Sequence, residues 1–364
     1  MEKINKLYIA FVVSFLFWPT VIYHFMSPRI EIKNTENRIL AEKPTLSIDN
    51  FYEFSQLYEE YFNDHFAFRS NLIKLNSQID YGLFKRVDNP NVLIGKYGWL
   101  FFNPGDAASP IDNYKGFYTF SENDLFTIKN KLENFRDLLE NQGIQFYLLI
   151  APDKEQIYSE FLPDYILQYK NQSKADVLCR YLNENSDIQL IFPKEKLLDT
   201  KKDAPVYYML DTHWNNLGGL VATQELLEKM GKMQIPLEDS PYNISAIKQG
   251  DLSNMINLSE ELIESNNVSI NYVDDIFIQE TINGGNWQSR NYLSTARDHN
   301  KVFIIGDSFS IALIPALSHH FSDIAFNHYK EVYSYESLLA ANPQIVILEI
   351  VERDSNQLFN WKAF

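Results

Sequence analysis

Short, wholly apolar runs alternate with amphipathic stretches through the middle and end of this chain. Gln145–Ala151 reads Gln-Phe-Tyr-Leu-Leu-Ile-Ala, a strand-length run that only burial on both faces explains. Residues 302–305 (Val-Phe-Ile-Ile) and 344–350 are of the same kind, and shorter strands are expected at 188–192 and 206–209. Between them lie helical patterns. Ser121-Glu122-Asn123-Asp124 resembles a capping box opening a helix that runs to about residue 142, with Gly143 suited to the position past its end. Further helices are expected near 174–185, over 217–230 and after Ser308. Apolar strands alternating with amphipathic helices predict an α/β fold with a mostly parallel sheet covered on both faces.

The pattern changes toward the amino terminus. Residues 92–95 and 98–102 read as two short strands about a turn at 96–97, and residues 51–62 and 68–84 have helical spacing. Residues 27–50 read as an irregular stem. Before it, residues 7–26 carry no Asp, Glu, Lys or Arg, and about 20 such residues suffice to span a bilayer core. Lys3 and Lys6 precede the run, and no small-x-small cleavage site follows it, so an uncleaved anchor is expected rather than a signal peptide. The expected organisation is therefore a cytoplasmic start (1–6), a transmembrane anchor (7–26), the stem (27–50) and a catalytic domain (51–364) outside the cell membrane. Residues 235–300, polar and Asn-rich, break the alternation and are expected to be an insertion of loops and short strands.

Composition narrows the functional classes. With 26 Phe and 22 Tyr the chain carries too much apolar surface for disorder. Its net charge of −16 argues against nucleic acid as a partner, which requires a basic face. Cys179 is the sole cysteine, so no intramolecular disulfide forms; without a Cys/His cluster, neither a metal nor a cofactor is expected.

Candidate chemistry centres on Val302-Phe303-Ile304-Ile305-Gly306-Asp307-Ser308-Phe309. An apolar strand ends, Gly306 permits a sharp turn, and Ser308 arrives at a helix start, at the strand end where open α/β sheets place their sites. Backbone N–H groups there are candidate oxyanion donors. A helix-capping role for Asp307 or Ser308 explains the same residues. A serine nucleophile needs a base. His213, in Leu210-Asp211-Thr212-His213-Trp214, follows Asp211 by two residues, so a short loop lets the carboxylate fix the imidazole while its other nitrogen faces Ser308. A capping Asp with a surface His fits the spacing too. Asp251 suits either a cleft wall or a turn. His65 and Arg69 are expected to fix the helical addition to the sheet, and Glu352-Arg353 to form an ion pair closing the domain.

Asp-Thr-His-Trp at 211–214 and Gly-Asp-Ser-Phe at 306–309 resemble the paired signatures of the alginate O-acetyltransferase family, the SGNH-hydrolase-like proteins AlgX and AlgJ. Glu36-Asn37-Arg38, Tyr61 to Arg69, Gly98-Trp99-Leu100-Phe101, Pro152-Asp153-Lys154 and Glu349 to Arg353 match in the same order. The resemblance implies a three-layer α/β/α domain of SGNH type, circularly permuted so that the Asp-x-His element precedes the serine. It implies catalytic roles for Ser308, His213 and Asp211, with Trp214 and Lys154 as candidate substrate contacts. It further implies an AlgJ-type arrangement without a carbohydrate-binding module, a polysaccharide acceptor, and an acyl donor supplied by a membrane-bound O-acyltransferase. O-acetyl transfer through an acyl-serine is the function implied. A carbohydrate esterase using the same residues and a non-catalytic glycan-binding assembly protein are the alternatives.

Overall fold

A computed structural model describes residues 2–26, 40–65, 69–105, 109–283, 288–330 and 334–360. The chain divides into two compact units, residues 1–88 with 254–258 and the remainder.

The first unit contains helices α1 (Glu2–Met26), α2 (Phe54–His65) and α3 (Arg69–Ile79), the last running into one π-helical turn, Asp80–Phe84. α1 leaves Leu7, Ile9, Phe11, Phe15 and Trp18 exposed. Among the described residues no helix is long and apolar enough to cross a membrane; several α1 side chains fall outside them. Of the expected stem, residues 27–39 lie outside the described residues, as do Glu36-Asn37-Arg38 and Phe66-Ala67-Phe68. Within the unit, the buried Asp64 carboxylate accepts the Ala41 N–H at 2.8 Å. His65 Nδ1 lies 2.9 Å from the Tyr61 carbonyl, and its ring stacks on Tyr61.

The second unit is an α/β fold. It begins with a small antiparallel pair, β1 (Val92–Ile94) and β2 (Leu100–Phe102). Then follow α4 (Pro110–Lys115), α5 (Glu122–Glu140), β3 (Gln145–Ala151), α6 (Lys154–Ile157), α7 (Lys174–Asn185), β4 (Gln189–Ile191), α8 (Lys194–Thr200) and α9 (Asn216–Lys229). Ser121 and Asp124 form the capping box of α5 reciprocally, and Gly143 takes the left-handed φ of +75° past its end. Strands β5 (Leu237–Ile247) and β6 (Glu264–Tyr272) pair with each other, β5 mostly exposed and β6 mostly half-buried, which accommodates their polar sequence. β7 (Ile278–Ile282), β8 (Ser289–Ser294), β9 (Asp298–Gly306), β10 (Phe321–His328) and β11 (Ile345–Val351) complete the chain of strands.

The main sheet has seven strands in the order β4-β3-β11-β9-β10-β8-β7. The first five are parallel, whereas β8 and β7 add antiparallel at one edge, making the sheet mixed. Alternate residues of each inner strand serve two cores. Tyr147, Leu149, Ile304 and Ile347 face a layer that includes Leu220, Leu226 and Leu227 of α9. Phe146, Leu148, Phe303, Ile305, Val346 and Leu348 face Ile128, Leu132 and Phe135 of α5 and Leu178 and Leu182 of α7. The helices thus cover both faces.

Three expectations need correction. Residues 206–209 are not a strand: only a Tyr207–Trp214 bridge forms, because charged side chains capture the neighbouring backbone groups. β7 and β8 join the main sheet although they lie in the region read as an insertion. The segment after Ser308 is first a 3-10 helix, Ser308–Leu313, and only then an α-helix, Ile314–His320.

Candidate active site

The strand-to-helix elbow is built from β9 outward. Gly306 is obligatory there: a Cβ would stand 2.1 Å from Ser310 Oγ and 2.8 Å from Glu349 Oε2. Asp307 does cap the helix, its Oδ1 accepting the Phe309 N–H at 2.8 Å, while Oδ2 accepts the Val351 N–H at 2.8 Å. Beneath it, Glu349 Oε2 accepts the Asp307 N–H at 3.0 Å and the Ser310 hydroxyl at 2.7 Å. Burial, and then the neighbouring Asp307, push the Glu349 carboxyl well above its usual range. Both acids are buried, so this elbow is held by groups no substrate reaches. Capping and presentation of Ser308 are therefore not rival readings.

The partner loop is irregular and crosses the same strand ends. His213 Nε2 stands 2.6 Å from Ser308 Oγ, and His213 Nδ1 stands 2.6 Å from Asp211 Oδ1. Asp211 Oδ1 also accepts the His213 N–H at 2.9 Å, and Oδ2 accepts the Asp251 N–H at 2.8 Å. These bonds hold the carboxylate in the orientation that meets the imidazole. The His213 side chain keeps 26% of its surface exposed, so the relay is reachable from solvent.

Electrostatics follow from this packing. Burial works to raise the Asp211 carboxyl, but its His213 and backbone hydrogen bonds prevail and hold it at about 2. Burial disfavours the His213 imidazolium, yet the bond to Asp211 and the charges of Asp211 and Asp251 lift its pKa above 6.5. His213 thus holds a proton strongly once it has taken one.

Asp251, read from sequence as either a cleft wall or a turn, belongs to the site. Its Oδ1 accepts the Thr212 N–H at 2.7 Å, its Oδ2 accepts the Thr212 hydroxyl at 2.5 Å, and that Oδ2 lies 3.7 Å from His213 Nδ1. Gly250 packs against the Leu210 carbonyl, where a Cβ would meet the oxygen at 2.3 Å. Asp211, His213 and Asp251 each offer a ligand atom within 4.8 Å of the others. Every carboxylate oxygen of Asp211 and Asp251 already accepts a hydrogen bond from Thr212, His213 or a backbone N–H, so the cluster reads as a hydrogen-bonded relay.

Trp214 and Lys154, expected as substrate contacts, are both buried and hydrogen-bonded to backbone carbonyls around the site. Trp214 is 1% exposed; its Nε1–H donates to the Phe309 carbonyl at 2.9 Å, tying the histidine loop to the serine helix. Lys154 is 2% exposed and donates to the carbonyls of Leu100 (2.5 Å), Asp211 (2.7 Å), Met209 (3.3 Å) and Tyr208 (3.4 Å). Burial lowers its pKa. Glu264, which the sequence reading missed, takes the Met209 N–H and, at 3.3 Å, the Leu210 N–H on Oε2. No local signal marks Glu264, since it lies some fifty residues further along the chain.

Two other expectations change. Glu352 and Arg353 do not pair with each other: Glu352 accepts the Asp153 N–H and an Asn113 amide at 3.0 Å each, while Arg353 meets Asp153 at 3.3 Å. The two residues open the 3-10 helix Glu352–Asp354. The Phe309 N–H is spent on Asp307 Oδ1 and the Ser310 N–H on the Asp307 carbonyl, so of the expected oxyanion donors at this turn the Ser308 N–H is the candidate that stays.

Comparison with known proteins places this arrangement in context. Residues 92–339 match the family model of the SGNH hydrolase-like domain, acetyltransferase AlgX. A protein named "Probable alginate O-acetylase AlgJ" from Pseudomonas syringae pv. tomato is 26% identical over 209 residues, covering 55% of this chain and 50% of that protein. One of the same name from Pseudomonas putida is 26% identical over 192 residues, covering 50% and 45%. The chain thus spans about half the length of the curated relatives it matches. Among solved structures, Bacillus cereus PatB1 superposes with a TM-score of 0.53 at 17% identity, over 74% of this chain and 99% of that one. A DHHW family protein from Eubacterium siraeum gives 0.52 at 14% identity, over 74% and 98%.

Proposed function

The chain belongs to the family of the SGNH hydrolase-like domain of acetyltransferase AlgX, and from that premise we propose that it is a serine-dependent O-acetyltransferase acting on an exported polysaccharide. The observation that carries the reading is the continuous relay from Asp211 through His213 to Ser308, with 2.6 Å at each side-chain link. In the first half-reaction Ser308 Oγ attacks the acyl carbonyl and its proton passes to His213 Nε2. The Ser308 N–H steadies the oxyanion. The tetrahedral intermediate collapses, the leaving group takes the proton from His213, and an acetyl-serine remains. A sugar hydroxyl then gives its proton to His213 and attacks the acetyl carbon, releasing the acetylated sugar and restoring Ser308. Asp211 keeps Nδ1 protonated throughout and stabilises the imidazolium.

The reading extends to the chain's surroundings. The uncharged run 7–26, with Lys3 and Lys6 before it, supports a single-pass anchor that leaves the catalytic unit outside the cell membrane. A membrane-bound O-acyltransferase would then supply the acetyl group. Esterase action, with water in place of the sugar, is the competing outcome.

The test mixes the purified chain with a chromogenic acetyl ester, with and without oligosaccharides, beside Ser308→Ala. Acetylated sugar made by the unsubstituted chain and not by the variant is the expected result. Acetate release indifferent to added sugar makes the protein an esterase. Equal rates for both proteins remove Ser308 from the chemistry.

A further inference from the structure

A concavity of about 520 Å³ is lined by Tyr114 of α4 and, for the rest, by residues that follow β3 and β4 in the chain. Because β4, β3, β11 and β9 run parallel, this is the same edge of the sheet that carries Ser308 after β9. β4 lies three strands from β9, about 14 Å at ordinary strand spacing.

Its chemistry is unlike that of the relay. Four side-chain amides line it, from Gln156, Gln168, Asn171 and Gln172, together with the hydroxyls of Tyr114 and Ser159. Its charges balance and are largely internal. Asp176 places both oxygens on Lys194, at 2.9 and 2.7 Å, and Arg180 donates to Gln172 Oε1 at 2.6 Å. Glu195 completes two acids against two bases. Most telling is Gln156, only 7% exposed, whose buried Nε2 has no hydrogen-bond partner. Folded proteins seldom leave such a donor without an acceptor. Gln156 is itself one of the residues that line the cleft.

We propose that this cleft binds an uncharged, hydroxyl-rich segment of a glycan whose reacting sugar lies at Ser308. The proposal rests on the polysaccharide-acceptor reading above and names the acceptor's class. Amides and hydroxyls offer both donors and acceptors to sugar hydroxyls, whereas a polyanion would meet no net positive charge here. A neutral acceptor also suits a chain of net charge −16, which repels polyanions at low salt.

The experiment titrates the full-length Ser308→Ala chain, which cannot turn over, with cellohexaose, chitohexaose, glucose and an alginate hexamer. A neutral hexasaccharide is expected to bind, glucose and the anionic hexamer at least tenfold more weakly. Adding Asn171→Ala with Gln172→Ala, neither of them fully buried, should weaken the neutral hexasaccharide about tenfold. Hydrogen exchange on the unsubstituted chain supplies a readout free of folding artefacts: the same sugar should protect backbone amides in 156–172. Failure of every neutral hexasaccharide to bind, preference for the anionic hexamer, equal affinity in the double variant or absence of that protection overturns the proposal. Ester turnover by the unsubstituted chain is scored separately. Its loss would sink the serine mechanism while sugar binding still decides the cleft.

Discussion

Ser308 and His213 meet at 2.6 Å, yet the two segments that deliver them are held by opposite means. The serine arrives on regular structure: a central strand, a glycine turn and a helix start whose cap is one residue away. The histidine arrives on a loop with a single bridge, and long-range side chains replace the sheet ladder. Lys154 gathers its carbonyls, Glu264 its N–H groups, and Asp251 its Thr212. Regular structure positions a nucleophile through backbone bonds that most sequences can make. An irregular loop needs particular charged residues from remote parts of the chain, so single substitutions there should do more damage to geometry.

The largest effects fall where the two segments touch. Ser308→Ala should cut ester turnover by up to about a million-fold, leaving only what binding and oxyanion donors supply. Asp211→Asn should cost about 10^4 in kcat by releasing the imidazole from its tautomer. It should also move the pH profile. His213 must be neutral to act as base, and its raised pKa makes kcat/KM rise with pH through a value above 6.5. Losing the Asp211 charge lowers that pKa, so the rising limb should shift toward acid even as the plateau falls. A limb that stays in place would mean His213 is not the base.

Lys154→Met separates the two modes of support. Removing a buried cation from four carbonyls should cost about 3–5 kcal/mol of stability, measured by urea denaturation. It should lower kcat about a hundredfold through displacement of the loop, without moving Ser308. Gly306→Ala attacks the other segment. Its Cβ would press on Ser310 and Glu349, and about 1–3 kcal/mol should be lost to overpacking. If Gly306→Ala proves the worse of the two for geometry, the contrast between elbow and loop is wrong.

That contrast also explains what the sequence disclosed. β3, α5, α7, α9 and β11 were legible because apolar periodicity and capping residues are local. The Gly306-Asp307-Ser308 turn was legible for the same reason. Asp211 and His213 were visible as a pair, but their spacing allowed a surface loop equally well, and family motifs had to supply the link to Ser308. Lys154 and Trp214 stood out as motif residues, yet burial is a tertiary property, so their positions in the interior were not. β10 went unread because its polar positions interrupt the apolar run, and β7 and β8 were expected only as unplaced short strands of an insertion because their mixed, partly exposed sequences do not show which sheet they join. Glu264 and Asp251 are the extreme case: their function exists only once the chain has folded back on itself.

The smallest predicted effect tests the loop most finely. Burial raises the Glu264 carboxyl to about 7, against the pull of the Met209 and Leu210 N–H groups. A carboxyl whose folded pKa exceeds its unfolded value of 4.5 binds its proton more tightly when folded. Its contribution to stability is therefore present at low pH and declines as pH rises from about 4.5 to about 7. Glu264→Gln keeps an acceptor for the two N–H groups but cannot ionise. The difference in unfolding free energy between the variant and the unsubstituted chain should therefore move in the variant's favour across that interval and level off above it. A constant offset at every pH would show that the Glu264 carboxyl titrates in the folded protein as it does in the unfolded chain, so that burial beneath the loop does not favour its protonated form.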